Sequence, residues 1–533
     1  MSPRKKTKPS NPIAARLGVR WAEIILAALL LLGFGLRMVD LTDPPLDFHP
    51  TRQFRGAVVA RSLYYQLAPS SDPFIQQQAV AMRNSVSDLE PPILESLVAF
   101  VYLLVGGEYL WVARILTSLL WVLAGIPLYA LARRFVSPAA ALLAVAYYLF
   151  LPFGVLASRS FQPDPFMVAV LIVTMFAAHR WSETRGWKWA LLAAVSSGLA
   201  ILIKAFAVYF VLGALAALVL YTLGLRAALR DKQVWAMAAI CILPAALYYL
   251  LSIGGTSGGY VQNWIVALLP LAFEPAFYVR WADMLTDLLG AARLAAAFSG
   301  VLIAELRARW LLVGAWAGYA IYGVTLPHQT TTHNYYHLFL VPLAALSIAP
   351  IFHLIVKKIA QQARFWQALF VSVLLGSLFF TVWISRSDML GVDYRDEPPF
   401  WQSVGAAIPT DGETIGLVQA YGNLLTYYGW RRVELWPVTG ELYLAGLRGN
   451  EPGDFETFFL ERTAGMDYFL ITSFNQADQQ PMLIEYLETH YPVFSEGDGY
   501  LIYDLNALVS NLHSLVFTYQ LPITNNPSPI SLL

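Results

Sequence analysis

Directly after the first long apolar run, residues Asp40 to Arg61 read DLTDPPLDFHPTRQFRGAVVAR. Asp43, Asp47, His49, Arg52, Arg55 and Arg61 crowd the start of a loop at a membrane edge. Loops carry reactive groups more often than cores do. A carboxylate in such a place can take a proton from a hydroxyl. Guanidiniums beside it can hold a phosphate through forked hydrogen bonds. The combination suits a lipid substrate that bears a phosphate. The competing reading is an ordinary polar loop after a helix.

More polar groups stand at the ends of apolar runs. Asp88-Leu-Glu90-Pro-Pro leads into Glu95, and Arg159-Ser-Phe-Gln-Pro-Asp164-Pro precedes another run. Lys204 lies between two apolar runs, and Pro327-His328-Gln-Thr-Thr-Thr-His333-Asn-Tyr-Tyr336-His337 precedes a third. Lys204 reads either as a snorkelling interfacial lysine or as a cation for a phosphate. Asp164 reads either as a first-turn acid at a helix start or as a catalytic or acceptor contact. Glu90 and Glu95 can simply orient an interfacial helix. The spacing of His328, His333 and His337 does not match a helical zinc pair with glutamate, so a polar loop or a phosphate contact is the better reading. Tryptophans and tyrosines near the run ends form an interfacial belt.

The elements that must position these groups are membrane helices. Of 533 residues, 57% are hydrophobic and 13% charged, whereas soluble domains are nearer a quarter charged. Apolar runs at 20–38, 111–132, 138–157, 165–181, 187–203, 206–224, 233–252, 285–304, 310–326, 336–355 and 366–384 predict about 11 transmembrane helices. A shorter amphipathic run, Ile93–Val105, is expected to lie on the outer surface. With it outside, the basic clusters Arg4–Lys8, Arg133–Arg134, Arg180–Lys188, Arg226–Lys232, Arg307–Arg309 and Lys357–Arg364 all fall on the cytoplasmic side. Of the eight lysines, only Lys204 then lies outside.

The expected order is a basic cytoplasmic N-terminus (1–19), a transmembrane domain (20–384) whose residues 39–110 form a long outer loop, and an extracytoplasmic domain (385–533). The N-terminus has no A-x-A site and predicts an uncleaved first helix in an inner or plasma membrane. Residues 391–533 hold 18 acidic and five basic residues and no lysine. Within them, Thr414–Gln419 and Tyr468–Thr472 alternate like strands. Pro481–His490 reads as a helix, and Tyr491–Asp504 as a strand pair. A small α/β domain is expected, with a loose tail at 521–533. The single cysteine, Cys241, excludes an intrachain disulfide and a cysteine metal site. There is no phosphate-binding glycine loop, no G-x-G-x-x-G after a strand and no H-E-x-x-H.

Together these residues suit a sugar carried on a polyprenyl phosphate. The leaving group is a phosphate and needs cations more than protons. Lys204, Arg52 or Arg61, and His328 or His333 can supply them. The acceptor hydroxyl needs a base, and Asp47 fits. One displacement at the anomeric carbon inverts it. No cofactor is required by this logic, which leaves a divalent metal open.

The layout resembles the integral-membrane, lipid-dependent glycosyltransferases of the class C fold, within them the protein-mannosyltransferase and aminoarabinose-transferase group of glycosyltransferase family 39-like enzymes. The matching pieces are an acidic first outer loop ending in Ala57-Val-Val-Ala60-Arg61, Glu90-Pro91-Pro92 before an interfacial helix, and Trp111-Val-Ala-Arg114. They continue with Pro163-Asp164, Gly198-Leu-Ala-Ile-Leu-Ile-Lys204, and His333-Asn-Tyr-Tyr336 before Pro342. The resemblance implies a polytopic helical fold, a polyprenyl-phosphate sugar donor, and a protein, lipid or glycan acceptor. It also implies that His49, Gln53 and Tyr336 touch substrate. Members often carry adjacent Asp-Glu in the first loop. Here Arg52-Gln53 stands near that place, so Glu90 and Asp164 stay candidates for the base beside Asp47. Glu90 also stands where many members have lysine, which raises the weight on Lys204. The alternative is a transporter or flippase of lipid-linked sugars. Such proteins set ionisable groups at mid-membrane, where Arg293 is the clearest case.

Overall fold

The computed structural model describes residues 12–68, 72–86, 89–251, 259 and 261–508. The basic cluster at 4–8, Asp88, part of the expected outer segment 252–284 and the tail at 521–533 lie outside the described residues. The chain divides into two units. One comprises 1–48, 88–265 and 269–393; the other comprises 49–87, 266–268 and 394–533.

The first unit is helical, and each apolar run expected to span falls on helix. By length and composition, six described helices can cross a membrane, or up to eight if two bent pairs each count as one span. They are Leu110–Ala132, Pro163–Thr184, Ala207–Ala228, Lys232–Leu251, Asn334–Ile359 and Arg364–Met389. The expected number was about 11. Much of the difference lies in short helices: Trp187–Ile203 has 17 residues and Ala291–Ile303 has 13. Ile93–Val105 is a separate helix of 13 residues.

One expected span, 138–157, is broken. Pro152 cannot donate to the helix and pushes its neighbour out of the helical region. Leu151 is accordingly extended, with ψ of 123°. Helices Pro138–Phe150 and Pro152–Ser158 meet at a bend of 59°. Arg37, at the end of helix Pro12–Arg37, fills the break. Its guanidinium donates to Leu149 O (3.1 Å), Gly154 O (3.4 Å), Gly33 O (2.8 Å) and Ser158 Oγ (2.7 Å). Backbone groups in a bilayer need such partners.

Helices Ala207–Ala228 and Leu306–Thr325 cross at backbone distance because glycines line the contact. A Cβ on Gly314 would stand 2.2 Å from Gly213 O, and one on Gly318 would stand 2.3 Å from Tyr209 O. Small residues of this kind let membrane helices approach closely.

The second unit contains a five-stranded sheet. Its strands are β1 (Thr414–Leu417), β2 (Glu434–Leu435), β3 (Tyr468–Ile471), β4 (Val493–Gly497) and β5 (Tyr500–Asp504). Their order is β2-β1-β3-β5-β4. β1 runs parallel to β2 and β3, whereas β5 is antiparallel to β3 and β4. Ile415, Leu417, Phe469 and Ile471 face a buried cluster with Trp436, Phe459 and Leu483, the last from helix Pro481–His490. Helix Pro50–Leu67 belongs to this unit. Phe54 packs 5.5 and 5.3 Å from the rings of Tyr427 and Tyr428, and Asn423 donates to Thr51 O.

Candidate functional site

Asp47 lies in the first unit, at the end of the loop that follows helix Pro12–Arg37. Two buried arginines reach it. Arg114, in the first turns of helix Leu110–Ala132, places Nη2 2.9 Å from Asp47 Oδ1. Its Nη1 donates to Asp43 O (2.8 Å) and Asp40 O (3.0 Å). Arg159 donates Nη2 to the same Asp40 carbonyl (3.0 Å) and sets Nη1 4.0 Å from Asp47 Oδ2. Gln162 donates to Phe48 O at 3.3 Å. Asp40 takes a left-handed conformation, φ 48°, that brings its carbonyl to both guanidiniums. The loop is thus shaped around two cations. The Asp47 side chain keeps 15% exposure between them. Burial, and then Arg114, lower the Arg159 guanidinium to about 10, with Asp47 opposing. It stays charged at neutral pH.

Five residues beyond Arg159, Asp164 starts a second cluster. It lies in the first turn of helix Pro163–Thr184 and is buried. Helix Trp187–Ile203 ends at Lys204, whose backbone is extended. Lys204 Nζ donates to both Asp164 oxygens, at 2.7 and 2.8 Å. The same ammonium sits 4.9 Å from the Tyr335 ring centre and 4.7 Å from that of Tyr336, both within cation–π range. The segment 159–164 therefore serves both clusters, Arg159 to Asp47 and Asp164 to Lys204.

The loop after helix Leu306–Thr325 brings the histidines. His328 lies 5.9 Å from Trp264 and 6.4 Å from His333, ring to ring. His333 lies 5.8 Å from Tyr336 and contacts Thr332 Oγ1 through Nδ1 (2.7 Å). A hydrogen-bond chain fixes this loop from beneath. His337 Nε2 faces Thr330 O at 2.8 Å, so that nitrogen carries the proton. Nδ1 then accepts from Tyr319 OH (2.6 Å), which itself accepts from Trp281 Nε1 (2.7 Å).

Lys204, Asp164 and Tyr336 thus come together, and His333 joins them through Tyr336. Glu90 lies within electrostatic reach of the Tyr249 phenol. His49, Arg52, Gln53 and Arg61 lie in the second unit. His49 precedes helix Pro50–Leu67 with φ 50°, and Gln53 is fully buried in that helix. Arg61 donates to Tyr427 O, with its guanidinium 3.8 Å from the Tyr427 ring centre and 4.3 Å from that of Trp430. Arg114 and Arg159 are the residues that sequence reasoning did not select. Their signal was present: each is an arginine at the end of an apolar run, near an acid-bearing loop. Among the described residues no three His, Cys, Asp or Glu side chains gather in a metal-holding group.

Residues 89–249 match the sequence profile of the family described as Dolichyl-phosphate-mannose-protein mannosyltransferase. No curated protein matches the chain. Among solved structures it is similar to ArnT from Cupriavidus metallidurans in the apo state, at 15% identity and TM-score 0.54, over 91% of this chain and 98% of that one. The same protein bound to undecaprenyl phosphate matches at 15% identity and TM-score 0.51, over 91% and 97%. The oligosaccharyltransferase AglB from Archaeoglobus fulgidus, in complex with an inhibitory peptide and a dolichol-phosphate, matches at 14% identity and TM-score 0.54, over 91% and 74%. By these likenesses the chain is an integral-membrane protein with the class C glycosyltransferase fold.

Proposed function

We propose that this protein transfers a sugar from a polyprenyl-phosphate donor to an acceptor on the extracytoplasmic face, by one inverting displacement. The observation that carries the reading is the pair of clusters joined by residues 159–164: a carboxylate oriented by two arginines, and a lysine set against a carboxylate and two tyrosines. Both support a reaction that moves a proton and neutralises a phosphate. The related solved structures hold undecaprenyl phosphate and dolichol-phosphate, lipids of the chemistry this donor would leave behind.

In this reading Asp47 is the base. Both Asp164 oxygens are engaged by Lys204, whereas Asp47 Oδ2 stands 4.0 Å from Arg159 Nη1. The acceptor hydroxyl gives its proton to Asp47 as its oxygen bonds to the anomeric carbon. The bond from that carbon to the phosphate oxygen breaks, and its electron pair leaves with the polyprenyl phosphate. Lys204 and His333 neutralise that charge, and Tyr336 lines the space between them. His328 is a further candidate contact to donor or acceptor. We assign Arg61 to packing between Tyr427 and Trp430. The acceptor is a protein, a lipid or an envelope glycan.

The test is release of polyprenyl phosphate from a panel of polyprenyl-phosphate sugars by protein reconstituted in lipid, with membrane extract as acceptor source. Wild type should release the lipid phosphate with one of the sugars. Asp47→Asn should lower the rate by about 10²–10⁴-fold, with donor binding kept. Equal turnover by Asp47→Asn would remove Asp47 as the base. Absence of release from every donor, with flipping of a lipid-linked sugar in liposomes, would turn the reading to transport.

A further inference from the structure

Helix Pro163–Thr184 carries Asp164 in its first turn and Glu183 in its last. At 1.5 Å per residue they stand roughly 28 Å apart along the axis. That is close to one hydrocarbon thickness, roughly 30 Å, so Glu183 marks the opposite headgroup level. Three arginines from three helix ends converge on it. Arg134 gives Nε and Nη2 to Oε1, at 2.9 and 2.8 Å. Arg180 gives Nη1 to Oε2. Arg307 stands further off, with Nη1 3.9 Å from Oε1, beyond hydrogen-bond distance.

The arithmetic of charge leaves an anion missing. The Arg307 side chain makes no hydrogen bond among the described residues, and its Nε is buried without a partner. Arg309 gives Nη2 to Ala304 O, and its Nε is likewise unpartnered. Glu305, two residues before Arg307, accepts from Ala308 N and stands 3.9 Å from His179 Nε2. One carboxylate thus serves three guanidiniums, and their side chains remain 42%, 23% and 29% exposed. Buried donors without acceptors are costly. The surroundings are apolar and aromatic. Arg307 lies over Tyr221 at 5.8 Å, Tyr221 lies against Trp310, and Trp310, Leu306 and Ile303 are exposed. Arginines beside exposed aromatics are the composition of a headgroup layer.

We propose that Arg307, with Arg134 and Arg180, binds a phosphate oxyanion, presented either by the headgroup of an anionic phospholipid or as free phosphate. The site is separate from the Asp47 and Lys204 clusters and does not depend on the reaction assigned to them. The test titrates the purified full-length protein with phosphatidylglycerol, with phosphatidylcholine and with inorganic phosphate, and follows the thermal midpoint. Phosphatidylglycerol should raise it saturably and phosphatidylcholine should not. Arg307→Gln should weaken the apparent affinity roughly fivefold. Arg307→Lys should keep most of it, and Arg364→Gln, an arginine at the start of helix Arg364–Met389, should leave it unchanged. The Arg307 side chain has no hydrogen bond to lose, so its variants should fold. Saturable binding of inorganic phosphate with the same Arg307 dependence, without a lipid preference, would assign the site to the soluble anion. Equal shifts with both lipids and none with phosphate would overturn the proposal, as would an Arg364→Gln loss equal to that of Arg307→Gln.

Discussion

A lysine ammonium and an aspartate carboxylate, with 3% and 2% of their side chains exposed, define the energetics of the Lys204–Asp164 pair. Each charge alone would be expensive at this depth. Together they satisfy one another through two short contacts, and the tyrosine faces add to the attraction. Removing Asp164 takes two charge-assisted contacts from a buried ammonium. Asp164→Leu should therefore cost about 3–5 kcal/mol of stability. Replacing both, as Lys204→Met with Asp164→Leu, should recover most of that loss, while sugar transfer stays abolished in both variants. Thermal midpoints and polyprenyl-phosphate release on the same preparations check this. A double variant as unstable as the single one would show that the pair is tied to a third charge. In the other cluster the roles differ. Arg114 shapes the loop through three carbonyls as well as holding Asp47, a task that suits a guanidinium fork and not a lysine.

At the scale of the element, the break at Leu151 depends on a residue more than a hundred positions away. Arg37 donates to carbonyls on both sides of that break, Leu149 O and Gly154 O. Arg37→Met should leave those carbonyls unsatisfied and cost about 3 kcal/mol, read as a lower thermal midpoint and faster proteolysis at 150–152. An unchanged midpoint would mean that the carbonyls find other partners. This break also shows what hydropathy reads well and what it misses. The apolar runs, the strands expected at 414–419 and 468–472 and found at Thr414–Leu417 and Tyr468–Ile471, and the helix Pro481–His490 were legible, because they depend on local periodicity. The bend inside 138–157 was not, although Pro152 was in view, because its acceptors are claimed from another helix. The expected span 285–304 likewise crosses two helices, Pro275–Leu289 and Ala291–Ile303, that meet at Gly290 with φ 84°. Asp47, Asp164 and Lys204 stood out by type and position. Their partners did not, since Arg114 lies 67 residues from Asp47 and Lys204 lies 40 from Asp164.

Across the whole molecule, charge is sorted by region: 18 acidic residues against five basic in 391–533, and 30 basic against 17 acidic before it. Within the membrane unit, helix Pro163–Thr184 joins the Lys204 pair at one end to the arginine-ringed Glu183 at the other. That makes it a calliper. A helix does not stretch, so the spacing of its two charged ends is a dimension the membrane must meet by tilting the protein or deforming itself, at a cost of fractions of a kcal/mol per Å. Turnover should peak in bilayers whose hydrocarbon core is near 28 Å and fall in both thinner and thicker ones, measured with phosphatidylcholines of graded chain length. A flat profile would mean that the two ends yield independently. If the peak is there, the protein is tuned to the thickness of its membrane as well as to what that membrane dissolves.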